Sequence, residues 1–339
     1  MGAHFIPRSC FGVVVLTVLS AGCQQRSPTE LPTQRTGYKS SHASPTVTAP
    51  EGMIFIRGGT FKMCSANGRQ DELPIHTVTL SDFWIDRTEV TNLQFAKFVK
   101  ATGYKTIAEI SPSPEDFPGV PKEKLVPGAL VFTEGRGWEY IPGASWRHPE
   151  GPKSDITNRM NHPVVQVAWE DATAYAKWSG KSLPTEAQFE YAARGGNETA
   201  EYAWGNEEVS DKKPQANFWQ GQFPEKNLNT DGYKSSAPVG SFKPNGYGLV
   251  DMAGNVWEWC QDFYRPDAYK MSSENNPSGP LDSLDPDEPG ITKRVIRGGS
   301  FLCAECYCQG YRIASRMKSS PDTGLCHTGF RCVWPPSTR

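Results

Sequence analysis

Apolar and polar positions alternate near the start of the chain and turn to a helical period further on. From Met53 to Phe61 apolar residues alternate around Arg57-Gly58-Gly59, and Thr77 to Ile85 alternates again after Pro74, which predicts two strands of an opening hairpin. Between Thr88 and Thr102, Val90, Leu93, Phe95, Phe98 and Val99 recur at helical spacing, and Gly103 stands where a helix would stop. A second helix is predicted over Glu170 to Ser179, with Trp169, Ala172, Tyr175, Ala176 and Trp178 mostly inward and Gly180 after it. Thr185-Glu-Ala-Gln188 has the form of a capping box and opens a third helix that runs through Phe189, Ala192 and Ala193 to Gly195-Gly196. The spans 109–161 and 204–289 lack a sustained period, and the first reads as ordered loop with short strands. Val295-Ile296 and Phe301-Leu302 flank Gly298-Gly299 and read as a short buried strand whose glycines let another backbone come close. These elements predict an α/β chain of mixed type with little regular secondary structure.

Composition adds an address and excludes one class of partner. Hydrophobic residues at 37% and ten tryptophans in 339 residues argue for a globular core. The formal charge is -2 and no basic run tracks phosphates, so no nucleic-acid partner is expected. Arg8, the apolar run from Phe11 to Leu19 and Ser20-Ala21-Gly22-Cys23 follow the order of a secretory signal, predicted over 1–22. The small-small-Cys ending resembles a bacterial lipobox, so a lipid anchor on Cys23 is the one membrane contact expected; plain signal-peptidase cleavage is the alternative. Residues 23–50, with Pro28, Pro32, Pro45 and Pro50 among Ser and Thr, read as a disordered tether, and the folded domain is expected over 51–336 as a monomer. The expected location is therefore periplasmic or membrane-anchored. Export permits disulfides, and Cys64, Cys260, Cys306, Cys326 and Cys332 are the pool from which structural bridges would come.

The densest chemistry lies between Arg297 and Arg316. Cys303 and Cys308 stand five residues apart on an irregular segment; two thiolates on one turn bind a soft monovalent ion such as Cu(I), or close a disulfide, and spacing alone does not choose. Arg-Gly-Gly-Ser-Phe-Leu-Cys303, Tyr-Cys308, Tyr-Arg312 and Arg316, followed by Pro321-Asp322 and His327-Thr-Gly-Phe-Arg-Cys332, resemble the C-terminal signature of the formylglycine-generating enzymes, the sulfatase-modifying factor family. Glu89-Val-Thr-Asn92, His162-Pro-Val-Val165, Leu183-Pro-Thr-Glu-Ala187 and Asn245-Gly-Tyr-Gly-Leu249 are similar to further segments of that family in the same order. The resemblance implies a single domain distantly like the C-type lectin fold. It also implies an oxidase that uses O2 to convert a cysteine in a sulfatase Cys-x-Pro-x-Arg motif to formylglycine, with the sulfatase polypeptide as substrate. In that family the cysteines matching Cys303 and Cys308 are the catalytic, copper-binding pair. Ser300 matches a serine at the site, and Trp257 is expected to line the pocket.

Two oxygen-rich stretches are candidates for a hard cation. By their residues alone they read more readily as surface loops with hydrogen-bonded carboxylates. The resemblance implies two calcium ions, one at Asn217, the Phe218 carbonyl, Asp231 and the Tyr233 carbonyl, the other at Asp251, the Gly254 and Val256 carbonyls and Glu258. The chain departs from the pattern at Cys306, a third thiol between the pair, and at Lys181, where some members place a cysteine that bridges to the one matching Cys332. Cys260 or Cys326 is a substitute partner for Cys332. His327 reads as a hydrogen-bonded structural residue rather than a ligand. The competing readings are a non-catalytic exported lipoprotein of the same fold acting in binding or assembly, and an iron enzyme that oxidises small thiols. The latter carries a histidine-bearing helical domain where this chain has its tether.

Overall fold

The computed structural model describes residues 50–334 apart from Asn67, Asp116 and Pro118; the predicted signal segment and nearly all of the tether lie outside the described residues. The opening alternation forms four short strands, β1 (Met53–Ile56), β2 (Gly59–Met63), β3 (His76–Leu80) and β4 (Phe83–Asp86). Each predicted strand is broken in two. β1 pairs antiparallel with β4 and β2 with β3. The break falls where Gly58 crosses the other arm: a Cβ there would stand 2.2 Å from the Leu80 carbonyl oxygen, and the Gly58 N–H donates to Asp82 Oδ1 at 2.7 Å.

Helix α1 (Asn92–Thr102) starts later than Thr88, because Thr91 is its N-cap and forms a capping box with Gln94; Gly103 closes it with φ 68. Ahead of the cap, the Val90 N–H donates to the Phe330 carbonyl and the Val90 carbonyl accepts from Val164, so residue 90 is extended. Strands β5 (Gly128–Thr133) and β6 (Gly137–Pro142) form a hairpin within the Pro-rich span. Helix α2 (Trp169–Trp178) and helix α3 (Glu186–Arg194) fall where periodicity put them, and α3 ends at Gly195 with φ 58.

The last third contains β7 (Trp257–Phe263), β8 (Arg294–Arg297), β9 (Arg316–Ser319), β10 (Thr328–Gly329) and β11 (Val333–Trp334). They build a four-stranded sheet in the order β10-β7-β8-β9, while β11 returns to complete a three-stranded sheet β1-β4-β11. The expected strand through Leu302 stops at Arg297. Gly298 and Gly299 both take positive φ, 89 and 79, and turn the chain out of the sheet, so Phe301 and Leu302 belong to a loop.

One apolar cluster packs Ile56, Phe61, Val78 and Phe83 against Phe189 of α3. A second packs Phe95 and Phe98 of α1 against Tyr175 of α2 and extends through Phe330, Trp257 and Trp259 to Cys303 and Cys308. The fold is mixed α/β; among the described residues there are three α-helices, and no helix there is long and apolar enough to cross a membrane.

Candidate active site

The signature is the excursion between β8 and β9. Arg297 and Arg316 are register partners at its two ends, and both are fully buried. Arg297 donates to Glu186 Oε1 (3.1 Å), to Glu190 Oε2 (2.6 Å) and to the carbonyls of Ile313 (2.8 Å) and Ala314 (3.2 Å). Arg316 holds the same Glu186 through Nε (2.8 Å) and Nη2 (2.7 Å). One turn of α3 thus clamps both ends of the loop. Burial alone would raise the Glu190 carboxyl, but Arg297 and then Arg194 outweigh it and hold it below the usual range, so it stays charged. Loss of one partner here leaves an uncompensated buried charge, which costs about 3–5 kcal/mol.

Within the loop Cys303 and Cys308 are joined as a disulfide, with Cα atoms 5.4 Å apart. Both line a cavity of about 380 Å³ together with Ser300, Trp257, His327 and Tyr307. The Ser300 N–H points at Cys303 Sγ (3.4 Å), and its Oγ accepts from the Leu302 N–H (3.2 Å). Two glycines make the loop compact enough. A Cβ on Gly299 would stand 2.6 Å from the Gly310 carbonyl carbon, and one on Gly310 would stand 2.4 Å from the Trp257 ring and 2.8 Å from Cys303 Sγ. The expected close backbone approach at Gly298-Gly299 is this contact. Trp257 and Ser300 thus line the same cavity as the cysteine pair. Burial pushes His327 down to about 3, so the ring is neutral, and Trp138 meets it edge-on at 4.8 Å. A stacked aromatic row, Tyr307 on Phe223 (4.3 Å) and Phe223 on Phe132 (5.4 Å), runs beside the cavity, whose lining also includes Glu288, Lys293 and Lys318.

The expected structural bridges do not form. Cys64, Cys260, Cys306, Cys326 and Cys332 are all free, so neither Cys260 nor Cys326 replaces the partner of Cys332. Cys64 and Cys260 pack in one apolar cluster, Cys332 in a second and Cys326 in a third, each as a small hydrophobe. At Cys332 an ion pair stands in for the bridge: Lys181 Nζ lies 2.6 Å from Asp86 Oδ1, and Asp86 Oδ2 accepts the Cys332 N–H at 3.0 Å.

The first oxygen-rich set converges. Asn217 Nδ2 donates to the Ser235 carbonyl (2.9 Å) and to Asn255 Oδ1 (3.3 Å), which turns Asn217 Oδ1 to a buried position where it accepts no hydrogen bond. The Gln220 amide, which the sequence reading passed over, donates to both Asp231 Oδ2 (2.9 Å) and the Phe218 carbonyl, and the Tyr233 N–H reaches Asp231 Oδ1 (2.9 Å). The second set has a different character. Both oxygens of Glu258 accept from Arg331 (2.7 Å each), and Asp251 Oδ2 accepts the Gly240 N–H (2.6 Å). Glu89 is buried beside them, with Oε2 unpartnered and its pKa raised by burial, then by Asp251 and Glu258. Three carboxylates thus share the Arg331 guanidinium, a buried charge that a proton or a cation would have to balance. Among the described residues no three His, Cys, Asp or Glu side chains converge so as to hold a metal ion. A hard cation here would rely on carbonyl and amide oxygens, and a soft one on the cysteine pair with a donor from outside.

The sequence profile of the sulfatase-modifying factor enzyme 1-like domain matches residues 39–336. The chain belongs to the sulfatase-modifying factor family. Among its relatives is the formylglycine-generating enzyme of Thermomonospora curvata, 49% identical over 84% of this chain and 94% of that protein. The inactive C-alpha-formylglycine-generating enzyme 2 of Mus musculus is 37% identical over 83% of this chain and 85% of its own. Of solved structures, PvdO from Pseudomonas aeruginosa superposes with a TM-score of 0.58 at 24% identity, covering 84% of this chain and 94% of that one; this likeness is one of fold. The clamp residues Glu186, Glu190, Arg297 and Arg316, with Glu89 and Arg331, are the site-building residues that sequence reasoning missed. Two signals were present: arginines bracket the signature, and Glu186 and Glu190 lie four residues apart on one helix face.

Proposed function

We propose that this chain matures sulfatases as a formylglycine-generating oxidase, converting the cysteine of a Cys-x-Pro-x-Arg segment to formylglycine with O2, with Cu(I) held by Cys303 and Cys308 once their bridge is reduced. Family membership and close identity to proteins named for this activity support sulfatase maturation as the task. The observation that carries the finer reading is the two sulfurs set together in a cavity beside Ser300 and Trp257.

Two thiolates are soft donors, matched to Cu(I) rather than to a hard cation. Copper bound there supplies the one-electron chemistry with O2 that no side chain has. Cys303 and Cys308 would hold the ion, and the cysteine of the substrate would join them as a further ligand. Ser300 would offer its hydroxyl to oxygen or to that thiolate, and Trp257 lines one wall of the cavity. A cavity of about 380 Å³ admits a few side chains and not a folded surface, so the substrate enters as an extended segment. The atoms balance when the substrate cysteine thiol, O2, two protons and two electrons give an aldehyde, hydrogen sulfide and water. The enzyme therefore needs a reductant as well as oxygen.

Two Ca2+ ions complete the reading. Asn217 Oδ1, the Phe218 and Tyr233 carbonyls and Asp231 would hold the first, which the unpartnered buried oxygen supports; Asp251, Glu258 and the Gly254 and Val256 carbonyls would hold the second, which the unpartnered Glu89 oxygen beside them supports although Arg331 occupies both Glu258 oxygens.

The test is turnover of a short Cys-x-Pro-x-Arg peptide by the full chain, reduced and supplied with Cu(I), reductant and O2, beside Cys303→Ala and Cys308→Ala. Mass spectrometry is expected to show thiol replaced by aldehyde, with conversion abolished by either substitution. A folded, copper-loaded protein that leaves the thiol intact sinks the oxidase. It would favour a non-catalytic exported lipoprotein acting in binding or assembly, for which the bridged state of the pair is the favouring observation.

A further inference from the structure

The bridged pair is buried at the wall of the cavity and is reached only through it. Cys303 and Cys308 are buried, and a disulfide is opened only by a thiolate that can touch one of its sulfurs. The loop that buries them carries its own thiol. Cys306 lies three residues after Cys303 and two before Cys308, and among the described residues it is the one free cysteine that is exposed; Cys64, Cys260, Cys326 and Cys332 are buried. The turn around it is tight: the Ala304 carbonyl accepts from both the Tyr307 N–H (3.1 Å) and the Gln309 N–H (3.2 Å), and Gln309 Nε2 donates to the Glu305 carbonyl (2.9 Å). Cys306 thus lies on the same tight turn as both bridge cysteines, and its spacing to Cys303 is that of a Cys-x-x-Cys dithiol, which exchanges readily.

We infer that Cys306 is the thiol through which reducing equivalents from an external dithiol reach the buried Cys303–Cys308 bridge. The Cys306 thiolate attacks Cys303 Sγ, a Cys303–Cys306 bond forms, and the electron pair of the old bond leaves on Cys308, which takes up a proton. One sulfur of the dithiol then attacks the exposed Cys306 Sγ, and Cys303 leaves as a thiol. The second sulfur of the reductant closes on the mixed disulfide and releases Cys306. One protein disulfide becomes two thiols, one dithiol becomes a disulfide, and Cys306 is restored. This exchange goes beyond the oxidase reading, since it requires neither copper nor substrate.

The experiment follows bridge opening in the oxidised full chain and in Cys306→Ser, with dithiothreitol as reductant, alkylation at timed intervals and mass mapping of each cysteine. Both proteins carry Cys10 and Cys23, so those thiols cancel in the comparison. Opening of Cys303–Cys308 is expected to slow at least about tenfold in Cys306→Ser, because the reductant must then reach a buried sulfur. With a thioredoxin-type reductant lacking its resolving cysteine, the trapped mixed disulfide is expected on Cys306. Equal opening rates, or a trapped adduct on Cys303 or Cys308, would overturn the inference. The readout needs no O2, copper or peptide, so it stands apart from failure of the oxidase itself.

Discussion

At Gly310 the site tolerates no side chain at all. Nothing about its backbone demands glycine; the constraint is space, since a methyl group would stand 2.4 Å from the Trp257 ring and 2.8 Å from Cys303 Sγ. Gly310→Ala must displace one or the other. Overpacking of this kind costs about 1–3 kcal/mol, and the displaced group is at the site itself. We expect a lowered thermal midpoint together with at least a tenfold loss of peptide turnover, the latter because positioning errors near 1 Å cost about 100-fold. Wild-type melting and wild-type turnover in Gly310→Ala would show that the indole and sulfur yield freely. Lys181 shows the opposite latitude at this scale. Where a cysteine bridge would join two segments, Lys181 and Asp86 join them by charge, and Asp86 reaches the Cys332 amide on the far side.

Among elements, α3 has the largest share in positioning the loop, and its start is tied to β7. The Glu186 N–H, in the first turn of α3, donates to Asp262 Oδ2 on β7 at 2.8 Å. Burial, then the neighbouring charge of Glu186, pushes the Asp262 carboxyl from 3.8 up to about 7. The fold therefore favours the protonated acid: its contribution to stability is full below about pH 4 and is lost as pH rises toward 7. Asp262→Asn keeps the acceptor oxygen and removes the titration. The thermal midpoint of the variant, plotted against pH from 4 to 7, is expected to gain on wild type as pH rises. Parallel curves would mean that Asp262 does not titrate in that window. The three helices were legible in the sequence because each combines an apolar stripe with a stop glycine or a capping box. β7 was not. Its run Trp257 to Cys260 is buried residue after residue, which erases the period-two signal of a half-exposed strand. The cysteine pair and Trp257 could be found from the signature, but the Glu186 and Glu190 clamp joins segments more than a hundred residues apart and leaves only a charged helix face to read.

Across the whole molecule, long loops are held by a relay of backbone bonds that links the oxygen-rich stretches to the cysteines. The Asn217 carbonyl accepts from Asn255, the Asn255 carbonyl accepts from Phe301, and the Trp219 N–H donates to the Cys303 carbonyl. The segment that presents the unpartnered Asn217 Oδ1 is therefore two backbone bonds from the loop of the pair. A cation at that oxygen would fix the same segment that fixes Cys303. Chelation is then expected to lower the thermal midpoint and, in the reduced protein, to speed alkylation of Cys303 and Cys308 more than that of Cys260, which lies in a separate apolar cluster. Asn217→Leu removes the oxygen while filling its volume. It should show the chelated behaviour from the outset and respond little to further chelation. A chelator that leaves both melting and alkylation of the wild type unchanged would remove the cation from the account, and the relay would then be held by its hydrogen bonds and packing alone.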